Sequence, residues 1–119
     1  MSDETPSMPT DTTPVPETAT ARFFVGQLVQ HKKFDYRGVV FDADATFLGT
    51  DEWYEEVAKS RPPRDQPWYH VLVHRGDRTT YVAERHLVAD DRGPIEHPLI
   101  GQFFDRFGDG RYGLKGGVQ

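Results

Sequence analysis

Two carboxylates stand two residues apart in the segment Arg37-Gly-Val-Val-Phe-Asp-Ala-Asp44, a spacing that could support acid–base chemistry. On a β-strand, Asp42 and Asp44 would point to the same face about 7 Å apart, within the range of catalytic carboxylate pairs. No base or nucleophile accompanies them, and Ser60 is the only serine after residue 20. The sequence also lacks a Gly-x-Ser-x-Gly motif and a glycine-rich phosphate loop. We therefore expect both carboxylates to face water at the end of a strand, and we predict no catalytic residues and no enzyme.

The five histidines are the next candidates, as metal ligands. His70 and His74 are four apart in a predicted strand, which separates them by about 13 Å, whereas two zinc ligands must each lie about 2 Å from the ion. The other three histidines would have to converge through folding. The chain has no cysteine, which excludes thiolate metal sites, disulfides and a cysteine nucleophile. We predict no metal and no cofactor, and we expect His70 to line the wall of the fold.

Five basic side chains could contact a phosphate backbone. They flank two predicted turns, the first with Lys32, Lys33 and Arg37 and the second with Arg75 and Arg78. If both turns lie at one end of the domain, these groups could follow DNA while an aromatic side chain stacks on a displaced base. Acidic residues stand beside them, so ordinary solvated turn charge is the preferred alternative.

Net charge also favours that alternative. The chain of 119 residues has a formal charge of -5, with 14 basic and 19 acidic side chains. Residues 1–20 hold four of the acids and no Lys or Arg, so residues 21–119 carry 14 basic and 15 acidic groups, a net charge of -1. A nearly neutral domain lacks the strongly basic surface that is typical of nucleic-acid binders.

Hydrophobic patterning predicts a mainly β fold with two helices. The composition of residues 1–21 predicts a disordered acidic tail rich in Pro and Thr, because it offers little apolar surface. Strands are predicted at 26–31, 36–44, 68–74, 79–83 and 87–88, with Gly38 expected to mark a bulge or sharp bend. A helix capped by Thr50 is predicted between strands 2 and 3. A second helix is predicted from Pro98 to Phe107, and residues 113–119 are expected to be frayed. About five bent strands in so short a segment favour a small SH3-like β-barrel over an open sheet.

The helical insertion concentrates aromatic and rigid residues. Such residues are typical anchors of protein–protein interfaces, although Trp53 could instead pack the insertion on the barrel. The phenylalanines of the C-terminal helix could cover the barrel or mediate self-association into a homo-oligomer. The predicted protein-binding residues are Trp53, Tyr54, Pro67, Trp68 and Tyr69.

Five motifs stand in a recognisable order, from Phe24-Val-Gly-Gln-Leu-Val-Gln-His31 through Tyr36-Arg-Gly-Val-Val-Phe-Asp-Ala-Asp44, Trp53-Tyr54 and Pro67-Trp-Tyr-His-Val-Leu-Val73 to Tyr81-Val-Ala-Glu84. Together they resemble the hemimethylated DNA-binding, or YccV-like, domain family, which includes the heat shock protein HspQ. The resemblance covers residues 22–92 and leaves 93–119 as a C-terminal helical extension. Where many members have Asn in the Ala-Glu-x-Asn-Leu motif, this chain has His86. The residues that carry the family motifs are Gly26, His31, Tyr36, Gly38, Asp42, Asp44, His70, Tyr81, Glu84 and Leu87.

The resemblance implies an SH3-like barrel without enzymatic activity and two roles. One is the promotion of degradation of unstable proteins, including a replication initiator, by an ATP-dependent protease of the Lon type under heat stress. The other is binding of hemimethylated DNA. We prefer the first, with DNA binding as the alternative and an SH3-like adaptor with an unrelated partner as a third possibility. The longest apolar runs are three residues and no secretory signal is apparent, so we expect a cytoplasmic protein without a membrane partner.

Overall fold

A computed structural model describes residues 21–116. Within this range, seven strands and two α-helices follow in order. The strands are β1 (Leu28–His31), β2 (Arg37–Asp44), β3 (Trp68–Val73), β4 (Thr79–Ala83), β5 (Leu87–Ala89), β6 (Phe104–Gly108) and β7 (Arg111–Leu114). The helices are α1 (Asp51–Val57) and α2 (Ile100–Phe103), and a 3-10 turn (Glu84–His86) joins β4 to β5. None of the helices in this part of the chain is long and apolar enough to cross a membrane.

The first five strands form one antiparallel sheet in the order β4-β3-β2-β1-β5. The predicted mainly β class is therefore confirmed, and each predicted strand is present within about two residues of its expected ends. Because β4 and β5 each pair on one side only, the ladder does not close on itself. The structure therefore confirms the mainly β class but not a closed barrel, and the SH3-like barrel stays a prediction. The 3-10 turn carries the chain from one edge of the sheet, β4, to the opposite edge, β5.

Both faces of the central strands are buried. One cluster, on the face that alternation predicts as the core, packs Tyr69 and Val71 of β3 against Val40 and Phe23. Leu72 points to the opposite face and packs with Phe104 and Tyr112 from the C-terminal region. Near-continuous apolar sequence in β3 is thus explained by two covered faces, which is typical of a central strand.

The predicted C-terminal helix is wrong over most of its length. Only Ile100–Phe103 is helical, and the chain then forms the β6–β7 hairpin, which also includes residues of the segment expected to be frayed. The turn explains the difference, since Asp109 and Gly110 have φ of 54° and 79°. Positive φ at both central residues is the geometry of a two-residue hairpin turn, for which Asp-Gly is a strong signal. Phe104, which fits the helical spacing, instead packs with Tyr112 over the sheet.

The helical insertion has the predicted start. Thr50 Oγ1 accepts a hydrogen bond of 3.0 Å from the backbone N–H of Trp53 and so caps α1. Tyr54 is the buried residue of this helix, and its hydroxyl donates to the carbonyl of Pro62 at 2.6 Å. Val57, one helical turn after Trp53, is 54% exposed.

Gly38 serves close strand packing rather than a bulge. The irregularity in β2 lies between Val40 and Asp42, whereas Gly38 pairs regularly with Val73. A Cβ atom at Gly38 would lie 2.3 Å from the carbonyl oxygen of Leu72 and 2.6 Å from Cγ1 of Val71. The backbone of β2 can approach β3 here only because the residue has no side chain.

Gly38→Ala should therefore lower the free energy of unfolding by about 1–3 kcal/mol, as overpacking of a well-filled core does. The matched control is Gly76→Ala, because a Cβ atom there meets no atom within 4 Å. Urea denaturation followed by circular dichroism measures both variants. Equal stability of the two would show that β2 and β3 can separate without cost.

Candidate functional site

A groove of about 650 Å³ runs beside the free edge of β4. We call it the β4 groove. One wall comes from the β1–β2 turn and the opposite wall from α1 and the segment that follows it, while the 3-10 turn contributes one residue. Its lining residues include His31, Lys33, Phe34, Tyr36, Trp53, Val57, Lys59, Ser60, Arg78, all of β4 and His86.

The groove is apolar at its base and its rims. Tyr81 of β4 packs against Trp68 and Trp53 with ring centroids 5.2 and 5.8 Å apart. Phe34, which is 68% exposed, stands on the wall of the β1–β2 turn, and the exposed Val57 stands on the helical wall. Large exposed apolar side chains on both sides of a concave surface are typical of a binding site.

The charge of the groove is positive. Lys33, Lys59 and Arg78 line it, and no carboxylate is among its lining residues in the described part of the chain. Within residues 21–116, none of the ion pairs includes any of these three cations. The guanidinium of Arg78 lies 5.6 Å from the ring centroid of Tyr36, which holds it beside β4. An anionic ligand would therefore meet these cations without displacing a carboxylate of residues 21–116.

Two stacked histidines lie at the end of the groove near the 3-10 turn. The rings of His31 and His86 are 5.5 Å apart and nearly parallel. The Nδ1 atom of His31 accepts hydrogen bonds from the backbone N–H groups of Lys33 and Phe34, which shapes the β1–β2 turn. Burial, together with the nearby His86 and Lys33, lowers the pKa of His31 to about 4. His31 is therefore neutral at pH 7 and acts as an acceptor within the turn.

Tyr81 and His70 both contact the carboxylate of Asp44, at the end of β2. The Tyr81 hydroxyl donates to Asp44 Oδ2 at 2.7 Å, and His70 Nε2 lies 3.1 Å from the same oxygen. Burial and the bond to Asp44 raise the pKa of Tyr81 to about 12, so the hydroxyl remains a donor. Asp42, Asp44 and His70 offer ligand atoms within 4.8 Å of one another and could hold a divalent cation. The sequence argument excluded His70 and His74 as a pair of metal ligands, because they are far apart on one strand. The grouping of His70 with Asp42 and Asp44 arises from the pairing of β2 with β3. The contact between Asp44 and His70 accounts for the proximity of those two side chains.

Two of the five predicted DNA-contacting residues line the β4 groove. Lys33 and Arg78 line the β4 groove, but Lys32 and Arg75 are not among its lining residues. Arg37 is paired with the buried Asp90 at 3.0 Å and also donates to the carbonyl of Gly93. Its guanidinium thus fixes the chain after β5.

The predicted protein-binding residues are mostly interior. Tyr54, Pro67, Trp68 and Tyr69 are buried, and the indole N–H of Trp68 donates to the carbonyl of Pro63 at 3.0 Å. Trp53 is the half-buried member, and it lines the groove. A partner that docks in the groove therefore meets Trp53 directly, while the others hold the walls in place.

Several family-motif residues have structural contacts. Gly26 has φ of 98°, and a Cβ atom there would lie 2.2 Å from the carbonyl oxygen of Tyr112. Glu84 accepts from the hydroxyl of Tyr69 and from the backbone N–H of Arg22. Leu87 is fully buried, and the Tyr36 hydroxyl is hydrogen-bonded to the Thr80 side chain at 2.7 Å.

Sequence reasoning did not anticipate Phe34, Lys59 or His86 as groove residues. Phe34 and Lys59 stand in segments that flank regular elements, where exposed apolar and basic residues are ordinary. Only the fold brings the β1–β2 turn and the insertion to β4, through the contacts of Tyr36 with Thr80 and of Trp53 with Tyr81. A signal was available for His86, which occupies the position where many family members have Asn.

These features define a small, mainly β domain with a groove that has apolar walls and carries positive charge. Comparison with known protein families identifies the group. The model for the hemimethylated DNA-binding protein YccV-like family matches residues 21–111, and the chain belongs to this family. The match includes most of the β6–β7 hairpin, a region that the motifs alone placed outside the family domain.

The stability of the protein should fall with acidification between pH 6.5 and 4. In this range the unfolded chain binds a proton at His31, whose ordinary pKa is 6.5, while the folded protein resists protonation until about pH 4. Because the unfolded state binds more protons, the free energy of unfolding decreases as the pH falls. In His31→Asn, an amide oxygen can replace Nδ1 as acceptor without titrating. As the pH falls from 7 to 4, the melting temperature of this variant should fall less steeply than that of the parent protein. Parallel curves would show that protonation of His31 does not cause the loss of stability.

Proposed function

We propose that the protein is a non-enzymatic binding protein of protein quality control, which promotes degradation of unstable proteins by an ATP-dependent protease of the Lon type. The observation that carries this proposal is the β4 groove, with Phe34 and Val57 exposed on opposite walls. Unfolded clients differ from folded proteins in exposing apolar side chains on extended backbone. A concave surface with apolar walls suits such a ligand.

Binding rather than catalysis is part of this proposal. The hydroxyl of Ser60 lies 2.8 Å from Nε2 of His86, so a potential nucleophile does face a potential base in the groove. A working pair of this kind needs a third group that orients the histidine. Among the described residues, the hydrogen bonds of His86 include no side-chain carboxylate. We therefore assign this pair to the structure of the groove wall.

The proposal predicts that this protein accelerates degradation of an unstable client by the cognate ATP-dependent protease. Lys33→Glu combined with Arg78→Glu should lower that stimulation at least fivefold, because both cations line the groove. Gel analysis of client loss over time, with and without each protein, measures the effect. The matched control is Arg106→Glu combined with Arg111→Glu, which makes the same charge change on the β6–β7 hairpin, away from the groove.

The control variant should stimulate degradation as the parent protein does. No change in client half-life when the folded protein is in excess would contradict the proposed function. Equal losses in both double variants would show that net charge matters and that the groove does not.

A second candidate function is binding of hemimethylated DNA. It is favoured by the description of the family and by Lys33 and Arg78, two predicted phosphate contacts that line the groove. Aromatic side chains at the groove base could stack on an extruded base. The near-neutral charge of residues 21–119 weighs against it.

DNA binding predicts a mobility shift that weakens steeply with salt and favours the hemimethylated duplex over the unmethylated one. Reversal of Lys33 and Arg78 to Glu should reduce the slope of log affinity against log salt by about one for each lost phosphate contact. Affinity that is indifferent to salt and to both reversals would exclude this function.

A further inference from the structure

The free edge of β4 has unused backbone hydrogen-bonding groups. In the antiparallel β3–β4 pair, Val73 N–H donates to the carbonyl of Arg78, and Glu84 N–H donates to that of Pro67. Hydrogen-bonded positions alternate along such a ladder, so Thr80 and Val82 bond to β3. Thr79, Tyr81 and Ala83 consequently direct their N–H and C=O groups away from β3, toward the groove. No backbone partner of these groups is present among residues 21–116.

An unpaired strand edge inside a groove differs from one on an open surface. The β1–β2 turn and α1 stand on either side of β4, and Tyr36 is tied to Thr80 across this gap. The walls limit access to a single narrow chain, which prevents the side-by-side association that a bare edge permits. A strand of about five residues spans roughly 17 Å, so the edge suits a short extended segment.

Charge selects among such segments. Three cations and no carboxylate line the groove within the described residues. His31 and His86 do not add to this charge at neutral pH, because burial and nearby cations lower both pKa values. An acidic segment would gain charge-assisted contacts, whereas a basic one would be repelled.

We propose that the β4 groove binds an acidic, extended polypeptide segment of a partner protein, which adds as a further strand to the free edge of β4. Backbone bonds to Thr79, Tyr81 and Ala83 supply affinity that does not depend on sequence. Apolar side chains of the segment contact Trp53, and its carboxylates meet Lys33 and Arg78. This inference rests on the proposed function and specifies how the client is held. Strand addition suits clients of varied sequence, because the main chain is common to all of them.

Hydrogen exchange followed by NMR tests the mode of binding. In the free protein, the amides of Thr79, Tyr81 and Ala83 should exchange much faster than those of Thr80 and Val82. Saturation with the peptide Asp-Val-Glu-Val-Asp-Val-Glu should slow exchange at the three outward amides at least tenfold and leave the two inward amides unchanged. Uniform protection along β4, or none, would overturn strand addition.

Peptide chemistry gives a test that does not depend on the folding of a variant. Fluorescence anisotropy should show at least tenfold tighter binding of the acidic peptide than of Lys-Val-Lys-Val-Lys-Val-Lys. Two N-methylated forms of the acidic peptide are compared, one methylated at odd-numbered and one at even-numbered positions. One form should not bind and the other should bind normally, because only one set of N–H groups can face β4. Equal binding of both methylated forms would overturn strand addition, and equal affinity of the acidic and basic peptides would overturn the acidic preference.

A substitution in the protein complements these peptides. Ala83 has φ of -68°, the value that a proline ring requires, so Ala83→Pro removes an outward N–H group and keeps the β3–β4 bonds. With an unchanged circular dichroism spectrum, this variant should bind the acidic peptide at least fivefold more weakly. Normal affinity in the folded variant would contradict the role of this N–H group.

Degradation assays separate this inference from the proposed function. If the parent protein and Ala83→Pro accelerate client degradation equally, strand addition is wrong while the adaptor function stands. If neither accelerates it, the proposed function fails. Displacement of the acidic peptide by hemimethylated DNA, with no alternating protection in β4, would assign the groove to DNA instead.

Discussion

The structure depends on the burial of β3 on both of its faces. Trp68 and Tyr69 are neighbours in sequence, so their side chains project to opposite sides of the sheet. The indole of Trp68 binds the carbonyl of Pro63 and packs with Tyr54, which fixes the insertion. The hydroxyl of Tyr69 donates to Glu84 and accepts from the backbone N–H of Phe23, which joins the start of the domain to the end of β4. Trp68 and Tyr69 thus anchor the insertion on one face of the sheet and the N-terminal segment on the other.

Two-sided burial also explains the place of the C-terminal hairpin. Leu28, Val39 and Leu72 would expose apolar surface if the sheet had one covered face, and Ile95, Phe104 and Tyr112 cover them. The Tyr112 hydroxyl accepts from Ile95 N–H and donates to its carbonyl, and Tyr112 N–H bonds to Gly26. With both faces occupied, the free surface of the sheet is its edge. The sheet has two such edges, β4 and β5, and β4 is the edge that lines the groove.

Much of the fold could be predicted from the sequence, and the errors have local causes. Alternation and β-branched residues locate the strands, and Thr50 marks the start of α1. The predicted C-terminal helix is wrong because Phe103, Phe104 and Phe107 fit helical spacing, whereas the Asp109-Gly110 turn joins two strands into a hairpin. For the candidate site, Lys33, Arg78 and Trp53 were identified by residue type. The sequence does not show that Arg37, unlike Lys33 and Arg78, has a structural role. Its partner Asp90 lies more than fifty positions away along the chain.

The sequence by itself determines the class of this protein: the motifs shared with the YccV-like family, the strand-rich pattern and the near-neutral charge beyond residue 20 are all local properties. Tertiary structure alone decides which of these residues face a ligand. Burial and proximity depend on how distant segments meet, so Tyr54 became part of the core and Phe34 part of a wall. The free edge of β4 is a tertiary property as well, since a strand has an edge only in relation to the sheet around it.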